Sequence, residues 1–330
     1  MARFEPWQRP AGYAPRLVLD AREDNEGGPV RQPIAVGWRA ESGPGGGEML
    51  LLLHGYNNHR AEAQAAYQAF RVRQEPVLRG PLHQPLDQLL ADTFWPGDAR
   101  LPGVLDRLDP LHYPAALATA RDEVAPLLAE CLLEDPVRPA RLHIVGHSMG
   151  CRLALELIER LARNGGPAIG RVALMAAAVP TFMLQPGGRF EYALARAEAV
   201  CVMSSVDDAV LQLAFPFGQT LAGPWNEGFL PEALGRHGRV PAGGGAQVVQ
   251  VPIDGAGHSD YWGWAGQRDG RALSAGERAA NAQAARTLTD FLNLNAPPRR
   301  EPVAAAPSPP PRRAPPAREP GFERVLGEAG

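Results

Sequence analysis

The sequence predicts an α/β protein, a mostly parallel sheet covered by helices on both faces. Three observations carry this. Apolar runs at 49–53 and 172–179, and at 142–145 with only His143 interrupting, suit strands buried on both sides. Helical apolar periodicity alternates with them, as over 61–73, 113–133 and 275–294. Finally, 142–145 runs through Gly146-His147-Ser148-Met149-Gly150 into a helical pattern with Cys151, Ala154, Leu155, Ile158, Leu161 and Ala162 on one face. That is a strand, a tight turn and a helix.

Residues 1–16 are irregular, with Pro6, Pro10 and Pro15; short strands follow at 16–20 and 34–39. The Gly/Pro turn at 42–47 precedes the strand at 49–53, so its glycines do not form a dinucleotide loop, which would follow a strand. After that strand come His54-Gly55-Tyr56-Asn57-Asn58, the helix over 61–73, a proline-broken stretch at 76–85 and an apolar element ending at Phe94-Trp95-Pro96-Gly97. Pro126 is expected to kink or restart the helix over 113–133. The helix after Gly150 stops at Asn164-Gly165-Gly166. Strands are predicted at 172–179, 199–203 and 248–251. Residues 214–246 read as a Gly/Pro-rich loop holding Phe215, Phe217, Trp225 and Phe229. One folded domain, 1–295, is followed by a tail, 296–330, in which ten prolines and two Arg-Arg pairs leave little to bury; the tail is expected to be disordered.

A net charge of −3 over 330 residues argues against a nucleic-acid surface. All 33 basic residues are arginine, scattered among the acids. Cys131, Cys151 and Cys201 lie far apart in apolar segments and read as buried thiols of a reducing compartment. The first residues hold no apolar signal core and no run reaches membrane-spanning length, so a cytoplasmic protein is expected. The histidines 59, 83, 112, 143, 147 and 237 show no metal-ligand spacing, and no metal or cofactor is implied.

A serine hydroxyl is a poor nucleophile without a base, and the base needs an orienting group. At a sharp turn after a strand, Ser148 is the candidate nucleophile. Ser259, in a second Gly-His-Ser, lacks the closing glycine and a following helix. Candidate partners follow in the order acid then histidine, each just beyond a strand: Asp207 or Asp208 after 199–203, and His258 after 248–251. Backbone donors for a developing oxyanion are expected at Met149, which follows the serine, and at Tyr56, with Asn57 as second choice. His54 is expected to hold that turn by hydrogen bonds. Trp262, Trp264, Phe215, Phe217 and Trp225 either line an acyl pocket or anchor loops.

Together these residues resemble the α/β-hydrolase superfamily over about 49–295, and within it a bacterial group of domains of unknown function. The marks of that group are His54-Gly55-Tyr56-Asn57, Trp95-Pro96, the pentapeptide 146–150, Ser204-x-x-Asp207-x-Ala209 and Gly257-His258. The resemblance implies hydrolysis of an ester or related acyl bond in a small-molecule substrate, and it places Asp207 at the acid position, leaving Asp208 to cap the following helical run. Asp208 stays open as the alternative acid, because many hydrolases carry an apolar residue two after it, as Val210 does here. The stretch from Ser148 to the acid is already filled by two helices and two strands, so no large cap domain fits there, and the loop 214–246 is the expected wall or lid. The alternative is a non-catalytic hydrolase-fold protein whose proline-rich tail docks a protein partner.

Overall fold

In the computed structural model of the protein the described residues are 3–4, 17–22, 37–40, 47–78, 86–97, 111–134, 137–223, 225–238 and 247–293. The tail, 296–330, and residues 79–85 of the proline-broken stretch 76–85 lie outside them.

The first strands are β1 (Arg3–Phe4), β2 (Leu17–Asp20), β3 (Gly37–Ala40), β4 (Glu48–Leu53) and β5 (Leu90–Phe94). After these come β6 (Arg141–His147), β7 (Ala168–Met175), β8 (Ala197–Ser204) and β9 (Gln247–Pro252). Their order in one nine-stranded sheet is β1-β3-β2-β5-β4-β6-β7-β8-β9. From β2 through β9 every neighbouring pair is parallel, and β3 runs antiparallel to β2. Leu50 to Leu53 and Ile144-Val145 are fully buried, as a sheet covered on both faces requires. A small hairpin, β10 (Gln267–Arg268) with β11 (Arg271–Ala272), stands apart.

The helices are α1 (Arg60–Gln74), α2 (Tyr113–Ala118), α3 (Ala125–Leu133), α4 (Met149–Arg163), α5 (Glu191–Arg196), α6 (Phe215–Ala222), α7 (Leu234–His237) and α8 (Ala275–Phe291). Capping boxes start α1 at His59/Glu62 and α8 at Ser274/Glu277. Helix α1 packs beside α8, while α3 and α5 pack on α4.

Two readings of the chain are corrected and one is sharpened: Pro126 stands in the first turn of α3, which restarts at Ala125 after a wider turn. Residues Thr119–Val124 form a π-type turn between α2 and α3, and Ala125 bonds back to Ala120. A wider turn just before a proline relieves the ladder at the residue that has no N–H to give. The same device precedes Pro216, where the π-type turn Val210–Ala214 runs into α6, so much of the expected loop 214–246 is helical. The strand read at 172–179 instead ends at Met175. Ala176 turns to φ 44°, and the carbonyls of Ala177 and Val179 accept from Gly235 and Leu234 at the start of α7.

Candidate active site

The turn between β6 and α4 is set by close approaches. Ser148 has φ 54° and ψ −123°, a strained conformation for a non-glycine residue. Its N–H bonds to Met175 O at 2.9 Å, and its carbonyl accepts from Cys151 and Ala178. A Cβ on Gly150 would lie 2.4 Å from His54 O, and one on Gly146 would lie 3.1 Å from Cys151 N. Gly150 is therefore dictated by packing, and a side chain at Gly146 would press on the backbone of Gly150 and Cys151.

The serine Oγ is 2.9 Å from His258 Nε2, and His258 Nδ1 is 2.8 Å from Asp208 Oδ2. A carboxylate only accepts, so Nδ1 carries the proton and Nε2 faces the hydroxyl as an acceptor. Asp208 is fully buried. Its other oxygen accepts the Leu211 N–H at 2.9 Å, capping the helical run that leads to α6.

Asp207, expected beside His258, is not there. It is exposed, and its Oδ2 accepts the Gly255 N–H at 3.2 Å. The two neighbouring carboxylates take opposite sides of the turn after β8, where Asp208 N bonds to Ser205 O and Asp207 N to Ser205 Oγ. Orienting the histidine and capping the helix, two tasks expected of two residues, fall to the two oxygens of one.

The turn after β4 lies against the serine: a Cβ on Gly55 would sit 2.8 Å from Ser148 Cβ. His54 holds this turn from inside. Its Nδ1–H donates to Gly55 O at 2.9 Å, and its Nε2 accepts the Trp95 N–H at 3.2 Å. Burial pushes its pKa down to about 3, so the ring stays neutral. Its backbone N–H reaches Tyr67 Oη at 2.8 Å, and its carbonyl accepts from Trp95 Nε1 at 3.0 Å. The Asn57 N–H, second choice as an oxyanion donor, is committed to Gly97 O at 2.7 Å. Gly55 thus stands beside Ser148 on one side, with Tyr56 next in the chain, and Met149, the first residue of α4, follows Ser148 on the other.

The sequence reading missed two networks. Asp260, 3% exposed, accepts the Gly257 N–H at 2.9 Å, Arg268 at 2.6 Å and Asn281 at 3.2 Å, tying the His258 turn to α8. Nothing in the sequence sets Asn281 apart from the other polar residues of α8; only the fold buries it. The second network centres on Arg152, four residues after Ser148. It is wholly buried, bonds Glu156 and both oxygens of Glu227, and lies over the Phe190 ring. Gln219 joins Glu227, and Tyr113 joins Gln219. The segment expected as a lid is therefore pinned to α4 along 219–227; residues 239–246 lie outside the described set.

Of the loop aromatics, Trp262 is buried edge-on to Tyr67 and Phe70, and Phe215 edge-on to Tyr113. Trp264 is half-buried against the core. These three anchor loops. Phe217 is exposed, and Trp225 is 94% exposed. Among the described residues no three His, Cys, Asp or Glu side chains gather as a metal site, and no helix is long and apolar enough to cross a membrane. The three cysteines are buried and unpaired.

The sheet order, the elbow between β6 and α4, and an acid and a histidine at successive strand ends decide the architecture. The fold is that of the α/β hydrolases. No family profile matches the sequence, and no curated protein matches it either, so the narrower bacterial group has no support there. Among solved structures, the chain resembles carboxyl esterase 2 from the mycorrhizal fungus Tuber melanosporum at 12% identity and a TM-score of 0.38, over 79% of this chain and 81% of that one. A thermostable esterase from Pseudomonas putida ECU1011 overlaps at 13% identity and 0.38, over 76% and 73%. TT1662 from Thermus thermophilus overlaps at 15% and 0.39, over 75% and 88%. Overlaps this loose stand as likenesses only.

Proposed function

We propose that the protein is a serine hydrolase that cleaves an ester or related acyl bond in a small-molecule substrate. The observation that carries this is the unbroken chain from Ser148 Oγ to His258 Nε2 at 2.9 Å and from His258 Nδ1 to Asp208 at 2.8 Å. His258 takes the hydroxyl proton as Oγ bonds to the acyl carbon, and the carbonyl π electrons move onto oxygen. The N–H groups of Met149 and Tyr56 stabilise that oxyanion, each such donor being worth about 10²–10³ in turnover. As the oxyanion collapses, the bond to the leaving group breaks and His258 returns its proton to that group. Water then repeats the cycle on the acyl-enzyme, releasing the acid and restoring Ser148. Asp208 holds the Nδ1–H and faces the imidazolium formed in both halves.

Labelling with a fluorophosphonate and turnover of p-nitrophenyl esters of increasing acyl length test the proposal. Wild type should label and hydrolyse at least one ester, and Ser148→Ala should do neither while melting at a similar temperature. Labelling that persists in the mutant, or a wild type inert to both reagents, overturns it.

A further inference from the structure

The elbow residue between Gly146 and Ser148 is a buried histidine that the proposed chemistry does not use. His147 Nε2 lies 2.7 Å from the main-chain carbonyl oxygen of His258. A carbonyl only accepts, so Nε2 carries the hydrogen. The His147 ring is 5.1 Å from the His258 ring, with Tyr261 at 6.2 Å and Trp262 at 5.8 Å closing around it. We infer that His147 is a positioning residue for His258: its Nε2–H fixes the peptide after the base, so one pentapeptide sets both the nucleophile and the base. This deepens the hydrolase reading above and rests on it for its effect on turnover.

The physical reason lies in how the His258 turn is held. Upstream, Asp260 grips the Gly257 N–H at 2.9 Å and returns its own N–H to Gly257 O at 3.1 Å. Farther back, Gly255, at φ 67°, bonds to Asp207. Those contacts fix the chain entering His258, whereas the bond from His147 fixes the carbonyl leaving it. Without that bond the 258–259 peptide is held only by the turn that the Asp260 N–H closes on Gly257 O, and it can flip within that turn, tilting the imidazole on its Cα and lengthening the 2.9 Å approach to Ser148 Oγ. A misplacement of about 1 Å at reacting atoms costs about 10²-fold in rate. Burial holds the His147 pKa down to about 3, so the ring adds no positive charge beside His258 while that residue carries the proton.

His147→Phe keeps a ring in the cavity and removes the donor; His147→Gln keeps an N–H donor at a similar reach. Two readouts separate positioning from packing: kcat against KM on a p-nitrophenyl ester, and the low-field proton resonance of His258 Nδ1–H, recorded without substrate. The Phe variant should lose about 10- to 100-fold in kcat with KM nearly unchanged and show a broadened resonance, and the Gln variant should recover most of both. If His147→Phe does not fold, His147→Asn takes its place, because its amide is too short to reach the carbonyl. Wild-type kcat and resonance in the donor-less variant overturn the inference, as does equal loss in the donor-less and Gln variants. A wild type that turns over no ester, yet whose resonance responds to His147 as described, removes the hydrolase reading and leaves the clamp standing.

Discussion

Two turns flank Ser148, and they are held in opposite ways. The turn at 54–58 is held from within, by a neutral histidine bonded to its own neighbour's carbonyl and to Trp95. The turn at 255–260 is held mainly from outside, by Asp207 on one strand end, by Arg268 and Asn281 through the carboxylate of Asp260, and by His147 from the elbow. The first has only main chain to present, and its N–H groups are placed once the backbone is rigid. The second presents a side chain that must exchange protons, so the charges that hold it sit away from the ring, Asp208 excepted. The two turns meet through Trp262, which packs edge-on to Tyr67, whose hydroxyl accepts the His54 N–H.

The largest expected effect lies at the junction of Asp207 and Asp208. Asp208→Asn should lower kcat by about 10⁴, whereas Asp207→Asn, which alters only an exposed tether, should stay within a few-fold of wild type on the same ester. The reverse ranking would place the acid at the other carboxylate and break the comparison on its outer side.

Next comes the inner side. Gly55→Ala puts a methyl 2.8 Å from Ser148 Cβ and 3.2 Å from His147 O. Backbone cannot retreat cheaply here, so the turn shifts and its donors leave the oxyanion position. A fall of about 10²-fold or more in kcat is expected with the fluorophosphonate still bound, though more slowly. Unchanged kcat would mean that this turn supplies no donor.

The smallest effect is on stability. His54 and His147 both titrate near 3 in the fold against about 6.5 when unfolded. Between those values the unfolded chain binds more protons, so stability is full above about pH 6.5 and falls as pH drops towards 3. Each histidine contributes about 1.4 kcal/mol per pH unit to that slope. His54→Gln should therefore show a shallower fall between pH 6 and 4 in denaturant midpoints. An equal slope would mean that His54 is not held neutral.

The strand–turn–helix around Ser148, the buried parallel strands and the placing of His258 after a strand were legible because each rests on local pattern. Apolar runs, glycine spacing and chain order survive whatever packs around them. The ends of elements were less legible: β7 stops at Met175 because Ala176 turns out of the sheet, and the run before α6 stays helical because a π-type turn accommodates Pro216. Neither leaves a mark in periodicity. Arg152 and Glu227 lie far apart in the chain with no spacing that pairs them, and only the fold buries them together. The choice between Asp207 and Asp208 belonged to tertiary structure altogether. Neighbouring side chains on a turn differ only in direction, and direction is set by where the Ser205 turn and the His258 loop come to lie in space.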